Sequence, residues 1–325
     1  MKAKGTVYAA VASMDGRWIV SGDSGKRVIV WNAVTYKASL KVAEHTGCIY
    51  AVDVSSDSTR FASGSEDQTV RIFNIISGVR VLPPLHHNGP VVGVKFSPDG
   101  TRIATAIHLY ASVRVYDTQS ANNLFDIPIT VASVPITPLA WSSDGQQLFV
   151  SSPGCITSFD TSVSLLSEWV IQNGTHNVSI VTHGQLIACS AGSAVSFWDC
   201  TSRKQIRSII DHTMAVNCIS ISFDGRYLAC GHDNGITVHG LGDFLQAPPD
   251  NLHVSRGSQI PLMQMSETAL ESWMSGNIID TGSILSEEIA QGPDHSHYAL
   301  AARSFIRAHS REWKMAIEDA EMVIF

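Results

Sequence analysis

The chain has 325 residues, 44% hydrophobic and 16% charged, which is enough apolar content to build cores and too little charge to keep a chain unfolded. Its 22 basic and 29 acidic side chains leave a net charge of −7; nucleic acid and anionic membrane are excluded as expected partners, since both call for a basic face. Residues 1–261 carry 18 basic and 19 acidic side chains and residues 262–325 carry 4 and 10, so a near-neutral body precedes an acidic end.

No run approaches the roughly 18 apolar residues of a membrane-spanning helix, and the stretch after Lys2 and Lys4 is too short for the core of a signal peptide. The six cysteines form no C-x-x-C pair, so reduced thiols and a cytoplasmic or nuclear location are expected. The glycosylation patterns at Asn173 and Asn177 are then chance matches.

From the start of the chain a register repeats. Gly5 to Asp15 superposes on Gly47 to Asp57, and that on Gly89 to Asp99, at offsets of 42 and 42. A turn recurs at Asp15-Gly16, Asp57-Ser58, Asp99-Gly100, Asp144-Gly145, His183-Gly184 and Asp224-Gly225. Asp-Gly between alternating apolar runs marks a tight hairpin, because glycine reaches positive φ freely. A second landmark closes each unit, at Trp31-Asn32, Phe73-Asn74, Tyr116-Asp117, Phe159-Asp160, Trp198-Asp199 and His239-Gly240, with spacings from Asn32 of 42, 43, 43, 39 and 41. Short β-branched runs between turns predict strands, and no segment before residue 262 has a helical period.

These endings, with Phe61 to Phe73 in the second unit, resemble the WD-repeat family over residues 5–240. The resemblance implies a mainly β fold: a six-repeat WD-type β-propeller with four-stranded blades, or an incomplete seven-bladed ring. Many repeats of that family link a His, a Ser or Thr, an Asp and the closing Trp by hydrogen bonds. The second unit offers His45, Ser63 and Asp67 but closes with Phe73. The sixth offers His212 and Asp233, with Cys230 and His239 in place of hydroxyl and indole. His45, Ser63, Asp67, His212 and Asp233 are read as structural residues. Only Met1 to Lys4 precede the first inner strand, too little to complete a last blade, so either Asn251 to Ser255 does so or unpaired edges remain.

After Gly242 the pattern changes. Residues 1–242 form the propeller, 243–261 a linker broken by Pro248, Pro249 and Pro261, and 262–325 a small all-α part. Tyr298, Ala301, Ala302, Phe305 and His309 share one helical face, and Trp313, Ala316, Ile317, Ala320 and Ile324 another. Gly276 to Ile278 superposes on Arg311 to Trp313 at an offset of 35. With Trp313 to Ala320, this resembles the tetratricopeptide repeat, a pair of helices that binds peptides on a concave face. The layout of a WD-repeat body with such an end resembles a group of uncharacterised fungal WD-repeat proteins, and no activity comes with it.

The sequence holds no phosphate-binding loop, H-E-x-x-H, G-x-S-x-G or dinucleotide fingerprint. His86-His87 and His295-Ser-His297 do not converge as metal ligands should. The expected function is therefore a non-enzymatic scaffold or adaptor for protein partners, with no catalytic residue, cofactor, metal or small-molecule substrate. Alternatives are a partial or decayed propeller without activity of its own, or a regulatory subunit of an enzyme complex. Tyr8, Tyr50 and Val92, related by steps of 42, and Asn217 at the matching place in the sixth unit are the candidate binding residues at the propeller mouth.

Overall fold

Each apolar run of the repeat is long enough for one strand and each Asp-Gly too tight for anything but a hairpin, so the register folds into consecutive antiparallel meanders. The computed structural model describes residues 5–108, 112–129, 138–152, 155–170, 179–233 and 235–241. Blade 1 consists of β1 (Val7–Ala12), β2 (Trp18–Asp23), β3 (Val28–Asn32) and β4 (Ala38–Val42). Blade 2 follows with β5 (Ile49–Val54), β6 (Arg60–Ser65), β7 (Thr69–Asn74) and the two-residue β8 (Leu85–His86). Blade 3 is β9 (Val91–Phe96), β10 (Arg102–Ile107), β11 (Ser112–Asp117) and β12 (Asn123–Ile127). Blade 4 is β13 (Leu139–Trp141), β14 (Gln147–Ser152), β15 (Cys155–Asp160) and β16 (Leu165–Val170). Blade 5 is β17 (Ile180–His183), β18 (Leu186–Ala191), β19 (Ala194–Asp199) and β20 (Gln205–Asp211). Blade 6 has three strands among the described residues, β21 (Cys218–Ile221), β22 (Tyr227–His232) and β23 (Gly235–Gly240). The protein is a mainly β, six-bladed propeller. The tetratricopeptide-like helices, the linker and Asn251 to Ser255 lie outside the described residues.

Two side-chain devices build the turns. The Ser13, Ser55, Ser97, Ser142 and Ser222 hydroxyls donate to the carboxylate two residues on at 2.5–2.6 Å. Each also accepts the backbone N–H five residues on at 2.9–3.0 Å. The residue after the aspartate then takes positive φ, from 57° at Ser58 to 71° at Gly225. At the second landmark, the Asn32, Asn74, Asp117 and Asp199 side chains each accept two following N–H groups, the Asx pattern that starts a turn into the fourth strand. The sixth unit has Gly240 there, with no side chain to do so.

The core is divided among the seams between blades. Val20, Val30, Ile49, Phe61 and Phe73 fill the first, and Ala62, Ile72, Val91, Val94 and Ile103 the second. Val92, Val113, Leu139, Trp141 and Val150 fill the third, Phe149, Ile156, Ile180 and Trp198 the fourth, and Phe197, Val216, Ile219 and Leu228 the fifth. Among the described residues no buried cluster joins blade 6 to blade 1. Close approach at a seam requires glycine: a Cβ at Gly64 would stand 2.7 Å from Val91 Cγ1 of the next blade. Arginines bridge the seams as well. The Arg60 guanidinium donates to the Gly100 carbonyl at 2.9 Å and lies 5.7 Å from the Phe96 ring, and Arg102 repeats this with Gly145 and Trp141 at 2.6 and 5.1 Å.

Candidate functional site

Blade 2 shows what the polar positions of the repeat do. His45 is 5% exposed. Its Nδ1 lies 2.8 Å from Asp67 Oδ2 and its Nε2 2.8 Å from Ser63 Oγ. A carboxylate only accepts, so Nδ1 carries the proton and Nε2 accepts from the serine hydroxyl. Burial pushes the His45 imidazole below its ordinary pKa, against the pull of Asp67, and keeps it neutral. Asp67 also accepts from the Thr46 N–H at 2.9 Å and the Thr69 hydroxyl at 2.6 Å. Burial alone would raise its carboxyl, but these hydrogen bonds together hold it below the usual range. Every polar group is satisfied without an indole, and Phe73 instead stacks on Phe61 with ring centroids 5.1 Å apart.

The other blades vary this grid. In blade 1 the closing indole is present, and Trp31 Nε1 donates to Ser21 Oγ at 2.8 Å. In blade 3 His87 is 8% exposed and packs edge-on against Tyr116 at 5.6 Å. Among the described residues neither of its nitrogens has a hydrogen-bond partner, and in the sequence register Leu109 stands at the place of Asp67. In blade 5 the hydroxyl position is Cys189, fully buried, and Trp198 donates to Ser196 at 2.9 Å instead. In blade 6 Cys230 is buried, His212 lies 4.8 Å from the His232 ring, and Asp233 accepts from Asn217 Nδ2 at 2.6 Å.

The four candidate mouth residues are treated differently by the fold. The Tyr8 and Tyr50 rings meet edge to face, with centroids 5.5 Å apart at 63°, and Tyr8 is 41% exposed. Tyr50 is half-buried and packs against the third seam; this burial raises its phenol pKa. Val92, expected on the same surface, is 3% exposed and belongs to the core. It packs there with Leu139, Trp141 and Val150, which cover it. Asn217 is exposed and engaged with Asp233. Two of the four thus form one aromatic pair, and Val92 is withdrawn from the surface.

The family model of the WD domain, G-beta repeat, matches residues 2–32, 37–74, 79–117 and 203–239. These spans end on Asn32, Asn74, Asp117 and His239, the closing landmarks of blades 1, 2, 3 and 6. Four of the six blades are thus similar to WD repeats. The chain is also 26% identical over 157 residues to the human "Protein NEDD1", a stretch covering 48% of this chain and 22% of that protein. It therefore spans less than a quarter of the curated relative's length.

Not anticipated from the sequence was the serine of five of the six turns, whose signal was the repeated spacing Ser13–Asp15, Ser55–Asp57, Ser97–Asp99, Ser142–Asp144 and Ser222–Asp224. Nor was Asp53, which accepts from Lys95 Nζ and the Phe96 N–H at 2.8 Å across a seam. Nothing local marks that role.

Proposed function

We propose that the chain is a non-enzymatic scaffold that binds protein partners at the propeller mouth, through the aromatic pair of Tyr8 on β1 and Tyr50 on β5. The observation that carries this reading is the pair itself. Tyrosine offers a rigid, amphipathic contact of the kind that supplies interface hot spots, and the Tyr8 ring is presented at 41% exposure. WD-repeat propellers are in general platforms for protein partners rather than catalysts, and the near-neutral body suits a protein ligand better than a polyanion. Among the described residues no helix is long and apolar enough to cross a membrane; the proposed location is the cytoplasm or nucleus. The tetratricopeptide-like reading of residues 262–325, and with it the likeness to fungal proteins of that layout, belongs to the same proposal and would add a second peptide-binding face.

The test is affinity capture with the full chain followed by mass spectrometry, comparing wild type with Tyr8→Ala and with Tyr8→Ala plus Tyr50→Ala. Loss of a hot-spot aromatic weakens binding by roughly 30-fold or more, so specific partners should drop out while melting of the single variant stays unchanged. Partners retained at wild-type levels by a folded double variant would remove the mouth from consideration.

A further inference from the structure

Tyr8 and Tyr50 owe their meeting to a break in the strand ladder. On β1 the pairing with β2 runs from Val7–Asp23 to Ala9–Gly22, and on β5 the pairing with β6 runs from Ile49–Ser65 to Ala51–Gly64. Each tyrosine is the extra residue of a bulge, a device that frees one residue from the ladder and re-aims its side chain. The chain leaves β6 at Glu66, whose N–H donates to the Cys48 carbonyl at 2.9 Å and whose Oε2 accepts the Cys48 N–H at 3.2 Å. This ties the Glu66 carboxylate to a residue only two before Tyr50. Burial first, and the Glu66 carboxylate next, raise the pKa of the Tyr50 phenol and of the Cys48 thiol.

The neighbouring acids are spent within the fold. Asp23 accepts from Arg27 at 2.6 Å, Asp67 from His45 and Thr69, and Glu44 from Arg71 and Arg80. Glu66 is exposed, and among the described residues it has no ion-pair partner.

We propose that the edge-to-face tyrosines and the Glu66 carboxylate form a subsite for an arginine side chain of the protein partner, an inference that rests on the reading of the mouth as the binding surface. The face of an aromatic ring attracts a cation, and a guanidinium is planar, always charged and able to stack on a ring while donating along its edge to a carboxylate. A carboxylate offers about four lone-pair sites, and the Cys48 N–H takes one of those on Glu66. Blade 1 has Ser24 at the place of Glu66, and blade 3 has His108 there with the buried Val92 at its bulge. The three groups therefore come together at the junction of β1 and β5. Lys26, exposed after β2, acts on the Cys48 thiol in the opposite sense to Glu66, so it supplies a control of opposite sign.

The full chain is titrated into a fluorophore-labelled, glycine-spaced arginine peptide and into its citrulline analogue, which keeps the shape and lacks the charge, with binding followed by anisotropy. The arginine peptide should bind about 10-fold more tightly. Glu66→Gln, which keeps an acceptor for the Cys48 N–H, should remove about 3- to 10-fold of that affinity, and Tyr8→Leu a similar factor. Tyr8→Phe keeps the ring and should bind as wild type, and Lys26→Gln should bind about 2-fold more tightly. Equal binding of the two peptides by wild type, or binding of neither, overturns the proposal. So does an arginine affinity that both Glu66→Gln and Tyr8→Leu leave unchanged. The two readings fail separately: captured partners that are lost on Tyr8→Ala and kept by Glu66→Gln leave the mouth as the binding surface and overturn its choice of a basic side chain.

Discussion

Blades 2 and 6 carry the same grid of positions and satisfy it by different means. In blade 2 a neutral histidine, a serine, a threonine and an aspartate close a hydrogen-bonded set under a phenylalanine stack, and a fourth strand covers the edge. In blade 6 the serine has become cysteine, the aromatic histidine, and the residue that should turn the chain into a fourth strand is glycine. Blade 2 also lies between two filled seams, whereas blade 6 has one among the described residues. The repeat thus specifies where side chains meet rather than what they must be.

The most severe way to break this comparison is to empty the cores. Phe61→Ala removes a fully buried ring and its stacking partner's contact, at a cost of about 3–5 kcal/mol; Leu228→Ala at the same place in blade 6 should cost about 2–4 kcal/mol. Urea unfolding followed by fluorescence measures both. An equal or larger loss for Leu228 would mean that blade 6 is as constrained as blade 2.

Acid probes the intermediate case of blade 3, whose histidine has lost its carboxylate. Burial pushes the His87 imidazole down from 6.5 to about 4. Between these values the unfolded chain binds a proton that the folded one does not, so stability is full above pH 6.5 and falls as pH drops toward 4. The loss is about 1.4 kcal/mol per pH unit and on the order of 3 kcal/mol in all. His87→Leu should flatten that part of the stability-pH curve; an unchanged slope would place the proton uptake elsewhere.

The smallest effect lies at the second landmark. Asn74→Ala deletes the acceptor of the Ile76 and Ser77 N–H groups and should cost about 1 kcal/mol.

How much of this was legible depended on whether the cause was local. The turns at Asp15-Gly16 and Asp99-Gly100 could be read because a two-residue hairpin leaves few chemical solutions, and the register of 39 to 43 residues gave the number of blades. The set of His45, Ser63 and Asp67 was legible through resemblance and occurs as a bonded unit. The burial of Val92 was not, since Tyr8, Tyr50 and Val92 are equivalent in the repeat and differ only in what the neighbouring blades cover.

The division of the core into five seams also sets an order of events. Blades 2 to 5 are each held on both sides, blades 1 and 6 on one among the described residues, and Val7 on β1 is 44% exposed where Ile49 and Val91 at its place are 0% exposed. A chain stabilised by nearest neighbours loses its ends first. Amide protons of β1 and β21 should therefore exchange with solvent before those of β9 and β13, so that the molecule frays from its two ends toward the third seam.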